Sequence, residues 1–169
     1  MNKYFLFMGI VLFGLSGCFS FGGYKGEKEN LPVTINQAYV KECGSCHWDY
    51  NPALLPTRSW VAMMDGLEKH FGELITLEPK LHREIRDYLM LNSAEHANAE
   101  LSRKIINDTQ GTTPTRIIEI NYIKRRHHHV DEQTFKRKKI RSRANCTACH
   151  QSYKEGVFEE DDVKIPPAS

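Results

Sequence analysis

Two stretches of the chain repeat one arrangement: Cys43-Gly44-Ser45-Cys46-His47 and Cys146-Thr147-Ala148-Cys149-His150. Three chemistries use cysteine pairs at this spacing. Disulfides suit an exported chain. A four-cysteine zinc site needs two such pairs, although about a hundred residues between them lies far outside zinc-ribbon spacing. Covalent c-type haem attachment needs a histidine after the second cysteine, and both stretches have it. In that chemistry the two thiols add to the two vinyl groups of one haem and form thioethers. Cys43 and Cys46 would hold one group and Cys146 and Cys149 the other, with His47 and His150 under the irons as ligands through Nε2. The Nδ1–H of such a histidine ordinarily donates to a backbone carbonyl. Asn51-Pro-Ala-Leu-Leu-Pro56, just after the first motif, could supply it.

An iron with one histidine has a second face. It stays open for a gas or substrate, or is closed by a further His or Met. The candidates are His70, His82, His96, the triplet His127-His128-His129, and five methionines. The elements that must position them rank these. Thr34 and Gln37 are spaced as a capping box, which predicts a helix over 35–43 running into the first motif, with Tyr39 one turn before Cys43. Thr57 or Ser59 can cap a second helix carrying Trp60, Met63, Leu67 and Phe71. At 100° per residue His70 falls on that same apolar stripe, and Gly72 ends the helix. A histidine at a helix end on an apolar face needs a partner, and an iron would provide one. Thr76-Leu-Glu-Pro79 opens a third helix with Leu77, Leu81, Ile85, Tyr88 and Leu89 inward. His82 lies beside that stripe among charges, and His96 starts a weaker helix over 93–106; both read as surface residues. Asp108 to Pro114 is a loop and a boundary. Beyond it the periodicity decays, so the second motif sits in a segment with little regular structure.

The N-terminus adds a compartment. Lys3, an apolar run from Tyr4 to Leu15 and the ending Leu15-Ser16-Gly17-Cys18 have the anatomy of an export signal. The small residues before Cys18 match a lipoprotein signal, in which Cys18 becomes the lipidated first residue of a periplasmic, membrane-anchored protein. This divides the chain into a signal (1–17), a tether (18–33), an N-terminal haem domain (34–107) and a C-terminal haem domain (108–169). Net charge is +2, but it is unevenly spread. Lys124 to Arg143 holds nine basic residues against two acids, and Glu155 to Asp162 holds five acids and no base. Such runs are ordinarily solvated faces. The basic Lys136-Arg-Lys-Lys139, just before the second motif, could face haem propionates or an acidic partner. An exported chain meets little nucleic acid, so no nucleic-acid role is expected. Aliphatic content is modest, and two haems would supply apolar surface that the chain itself lacks.

Taken together, ECGSCH, then PALLP, SW, HFGE, an I-x-x-YL helix and a final NCTACH resemble the bacterial dihaem cytochrome c family over about residues 37 to 166. Gly156, Phe158, Ile165 and Pro166 match its ending. The resemblance implies a mainly α protein, with a small class I-like cytochrome c domain followed by a haem-binding region with little regular structure. It implies an electron carrier rather than an enzyme, with two covalent haems, both bis-histidine. The family histidine in HFGE corresponds to His70. A second, after an aromatic and basic run, corresponds to His127 when Tyr122-Ile-Lys-Arg-Arg is laid on that run, with His129 the runner-up. Implied partners are an oxygen-binding monohaem cytochrome and membrane b-type cytochromes. A haem enzyme or gas sensor with one open or labile sixth position is the alternative.

Overall fold

The computed structural model describes residues 30–168; the signal, Cys18 and the tether up to residue 29 lie outside the described residues. Among the described residues six α-helices occur: α1 (Gln37–Cys43), α2 (Thr57–Asp65), α3 (Pro79–Leu91), α4 (Glu100–Asp108), α5 (Asn121–Arg126) and α6 (Glu132–Phe135). Short 3-10 turns join them, and the only β pairing among these residues is two isolated bridges, His70 with Glu73 and His150 with Val163. The protein is therefore mainly α. Helices shorten along the chain, from 13 residues in α3 to 4 in α6. No helix among the described residues is long and apolar enough to cross a membrane.

Local chemistry explains where these helices start and stop. Asn36, rather than Thr34, caps α1, its side-chain oxygen accepting from the Tyr39 N–H at 2.8 Å. Thr34 instead bonds the Tyr88 phenol at 3.1 Å. α3 begins at Pro79 behind Glu78, whose carboxylate accepts from the N–H groups of Lys80 and Leu81 at 3.0 and 3.2 Å. Its predicted inward residues Ile85 and Leu89 are fully buried. α2 departs from expectation. Neither Thr57 nor Ser59 caps it, and it ends at Gly66, six residues early, before a 3-10 turn over Leu67–Lys69. Its buried face is Ser59, Trp60 and Met64, with Leu67 following. His70 thus lies on a turn beyond the helix, not on a stripe with Met63. The weak helix expected over 93–106 is a turn, Ala94–His96, then α4, separated by extended Ala97 and Ala99.

One buried cluster joins these elements, drawing on Leu55, Trp60, Met64, Ile85, Leu89 and Ile105 and continuing past the 109–116 loop to Ile117 and Ile120. The Asp108 carboxylate reaches across that loop, accepting from the Tyr122 N–H at 3.0 Å and Arg125 at 2.9 Å, so it fixes the start of α5. Beyond Ile120 the deeply buried apolar residues are Phe135 and Ile140. Near the end of the expected tether Leu31 is seated: it is buried and its N–H donates to the Gly156 carbonyl at 2.9 Å, while Asn30, Pro32 and Val33 are exposed. Gly156 has φ 76°, and a Cβ there would meet the Leu31 oxygen at 2.1 Å. Only glycine supplies both the left-handed backbone and the close approach.

Candidate functional site

The first motif begins where α1 ends. Cys43 is the last helical residue, and the Gly44 N–H closes the helix on the Val40 carbonyl at 3.0 Å. A Cβ at Gly44 would stand 2.3 Å from that same oxygen, so glycine lets the chain turn tightly between the two thiols. His47 follows, its Nδ1–H donating to the Trp48 carbonyl at 2.7 Å. The expected carbonyl within 51–56 is not used, because Pro52 accepts from the Trp60 indole at 2.8 Å. The nearer carbonyl wins because it needs no loop to be brought back. Opposite His47 stands His70, with ring centroids 6.2 Å apart and planes 25° from parallel. The reversal that places it uses Phe71 at φ 53° and Gly72 at φ 104°, closed by the Glu73 N–H on the His70 carbonyl at 3.0 Å.

The second motif folds as a 3-10 turn, Cys146–Ala148, with the His150 N–H on the Cys146 carbonyl at 2.9 Å. The Lys164 N–H donates to Cys149 at 2.9 Å, and His150 bridges Val163, so the chain's end clamps the motif. His127 caps the C-terminus of α5, and its Nδ1–H donates to the Ile123 carbonyl at 2.8 Å. Its ring stands 6.0 Å from that of His150. The Nδ1–H of His128 bonds the Arg125 carbonyl at 2.7 Å; its side chain is exposed, as is that of His129, although both border the same space as His127. Of the triplet, His127 is thus the member brought against a motif histidine. A cavity of about 530 Å³ opens here, walled by Leu54, Ile117, Ile123, Ile140, Cys146 and Cys149. That lies within the usual size range of cofactor sites.

Both ring separations have a simple meaning. Two imidazoles on opposite sides of one metal, each bonded at about 2 Å, place their ring centres about 6 Å apart. Burial lowers the pKa of His70, with the facing His47 and then Arg116 adding to it. Burial likewise lowers that of His150, helped by His127. The rings are therefore kept neutral, the form that binds a metal. The Nδ1 atoms of His70 and His150 are buried and have no hydrogen-bond partner among the described residues. Burial pushes Cys43 up to about 11, with Glu42 adding, and Cys146 up to about 12. Among the described residues no group of three or more His, Cys, Asp or Glu is placed to hold a metal ion, and Cys43, Cys46, Cys146 and Cys149 are not bonded to one another.

Two histidine pairs, each beside its own C-x-x-C-H turn in a helical chain, define a c-type cytochrome with two haems. The chain belongs to the dihaem cytochrome c family, whose pattern matches residues 39–158. It is similar in structure to a dihaem cytochrome c from Rhodobacter sphaeroides, with 38% identity, a TM-score of 0.65, and coverage of 75% of this chain and 98% of that one. It is also similar to a dihaem c-type cytochrome from Shewanella baltica, with 32% identity, a TM-score of 0.63, and coverage of 78% and 93%. No protein of curated function matches it. Two covalently bound c-type haems are its cofactors, and the residues present fit them.

Other polar residues fall where the sequence did not place them. His82 is half-buried and donates through Nε2 to the Met64 carbonyl at 3.0 Å, tying α3 to the end of α2 rather than lying in solvent. His96 is exposed, as expected. The acidic run is not wholly a solvated face: Asp162 accepts from the Ser152 N–H and hydroxyl at 3.0 and 2.8 Å, and Glu160 pairs with Arg126 at 3.3 Å. The largest omission is a contact between the two motifs. The Trp48 indole and Tyr50 phenol both donate to the Ala144 carbonyl, at 3.2 and 2.9 Å, two residues before Cys146. Tyr50 also packs 5.1 Å from the His47 ring. The aromatic Trp48-Asp-Tyr50 directly after His47 was the available signal.

Proposed function

We propose that this chain relays single electrons through two bis-histidine haems, His47 with His70 and His150 with His127. The reading is carried by the two histidine pairs at 6.2 and 6.0 Å. Bound haem supplies one-electron exchange between ferric and ferrous iron. The chain's part is to hold both axial positions, attach the groups through Cys43, Cys46, Cys146 and Cys149, and surround them with apolar walls. With both faces occupied, neither iron has room for substrate, which favours a carrier over an enzyme or gas sensor. The ferric protein is expected to show two low-spin centres and no high-spin band in its absorption and electron paramagnetic resonance spectra. One high-spin centre in the native protein would move the reading to the enzyme or sensor class.

Two further parts of this reading concern location and partner. Cys18 would anchor the protein in the periplasm, two or three acyl chains being needed for stable attachment. Cys18→Ser should then shift the protein from the membrane to the soluble fraction, and an unchanged distribution would refute the anchor. Lys136, Lys138, Lys139 and Arg141 are exposed, and the last three border a surface depression whose further wall, Asn145, also lines the second cavity. That places positive charge one residue from the haem space, where an acidic redox partner, such as the monohaem or membrane b-type cytochromes of the family resemblance, would dock. Such steering weakens with salt. Replacing the three lysines with glutamine should slow electron transfer to the partner about tenfold or more at low salt and little at high salt. Equal rates at both salt concentrations would leave the patch a solvated face.

A further inference from the structure

Arg116 stands out among the charged residues because its side chain belongs to neither motif yet lies against the first histidine pair. It follows the loop that ends α4, and its guanidinium carbon sits 3.9 Å above the Phe71 ring. That ring is in turn 4.8 Å from His70. Its acidic neighbour, Glu119, is 3.7 Å away and 58% exposed, and this ion pair offsets part of the charge. The field of Arg116 is felt by His70 on one side of the histidine pair and by Tyr50, which packs on His47, on the other. By geometry the guanidinium stands on the far side of the Phe71 ring, one aromatic contact from His70. Phe71 holds it there by a cation–π contact and is itself fixed by the left-handed turn at φ 53°.

We propose that Arg116 is a positioning residue that raises the reduction potential of the first haem, a charge lent to the N-terminal site by the segment that follows the inter-helix loop. This rests on the two-haem electron-relay reading and goes beyond it by naming what sets one of the two potentials. The physics is a charge balance. Reduction adds one electron and removes one positive charge from the iron centre, so a fixed cation nearby favours the reduced form. Because Arg116 is partly exposed, solvent and salt attenuate the effect without abolishing it.

The test is a spectroelectrochemical titration of the holoprotein, its Arg116→Gln and Arg116→Lys variants, and the same pair in a His127→Ala background, where the second haem is spectrally distinct. Arg116→Gln should lower the first haem's equilibrium constant for reduction about two- to fivefold, equivalent to about 20–40 mV for one electron, and leave the second haem's midpoint in place. Arg116→Lys should keep most of the wild-type value, because the charge is retained. Added salt should shrink the wild-type-to-Gln difference. Unchanged midpoints in Arg116→Gln, equal shifts at both haems, or a Lys variant as low as Gln would each overturn the proposal. A wild-type first haem that is not low-spin would instead defeat the His70 ligand assignment, and the Gln midpoint would still decide the role of Arg116.

Discussion

A chain carrying Cys146→Ala and Cys149→Ala together is expected to lose one haem and, with it, the packed structure of its C-terminal third. Beyond Ile120 the deeply buried apolar residues are Phe135 and Ile140, and the helices there are 6 and 4 residues long. Segments that short do not hold themselves. The cavity of about 530 Å³ between His127 and His150 occupies the place where a core would be. The space is open to solvent, so without the haem its apolar walls, Leu54, Ile117, Ile123 and Ile140 among them, would face water at a cost of about 25 cal/mol for each Å² left exposed. The walls should therefore collapse or unfold rather than enclose it. Mass spectrometry of the denatured variant should show one haem instead of two. Hydrogen exchange should show lost protection over residues 121–166, while α2 and α3 stay protected around Ile85 and Leu89. Undiminished protection past residue 121 would count against haem as the core of that region. The matching change at Cys43 and Cys46 should be milder for the fold, because the first site lies against the large cluster of Leu55, Trp60, Met64 and Leu89.

Removing His127 should have the largest effect on the iron centres. Its ring stands 6.0 Å from that of His150, whereas the exposed His128, bonded to the Arg125 carbonyl, and His129 only border the cavity. His127→Ala should therefore convert one of the two low-spin signals fully to high-spin at neutral pH. Capture of the iron by His129 would show as a low-spin centre with a shifted midpoint. His70→Ala should do the same at the first haem, with no adjacent histidine to take over. The fold should survive both changes, because neither side chain belongs to the buried apolar cluster. An unaltered low-spin spectrum with unaltered midpoints in His127→Ala would remove that residue from the site. The same variant separates a ligand from a merely buried histidine, since loss of a buried hydrogen bond alone costs about 1–3 kcal/mol of stability and leaves the spin state untouched.

How much of this was legible in the sequence follows from the range of each interaction. The attachment chemistry was readable because it is local: two thiols and a ligand within five residues define it wherever the chain goes. α1 and α3 were readable for the same reason, their apolar periodicity and starts lying within a few turns, although the capping side chain of α1 is Asn36 and not Thr34. The helical class and the thin C-terminal core also follow from composition and pattern. What the sequence could not provide was whatever depends on where distant segments meet. Gly66 ended α2 before His70, and the strained turn at Phe71 and Gly72, not a helix face, brings that ring to His47. Spacing alone likewise left three histidines in a row equivalent, and only the family resemblance singled out His127. The tertiary structure distinguishes them because α5 ends at His127, where the last turn's Ile123 carbonyl fixes one ring against His150, while His128 and His129 stay exposed at the border of the cavity. The shared Ala144 carbonyl, held by Trp48 and Tyr50 from about ninety residues away, has no local signature, because a hydrogen bond of that span exists only once packing has closed the chain between its ends.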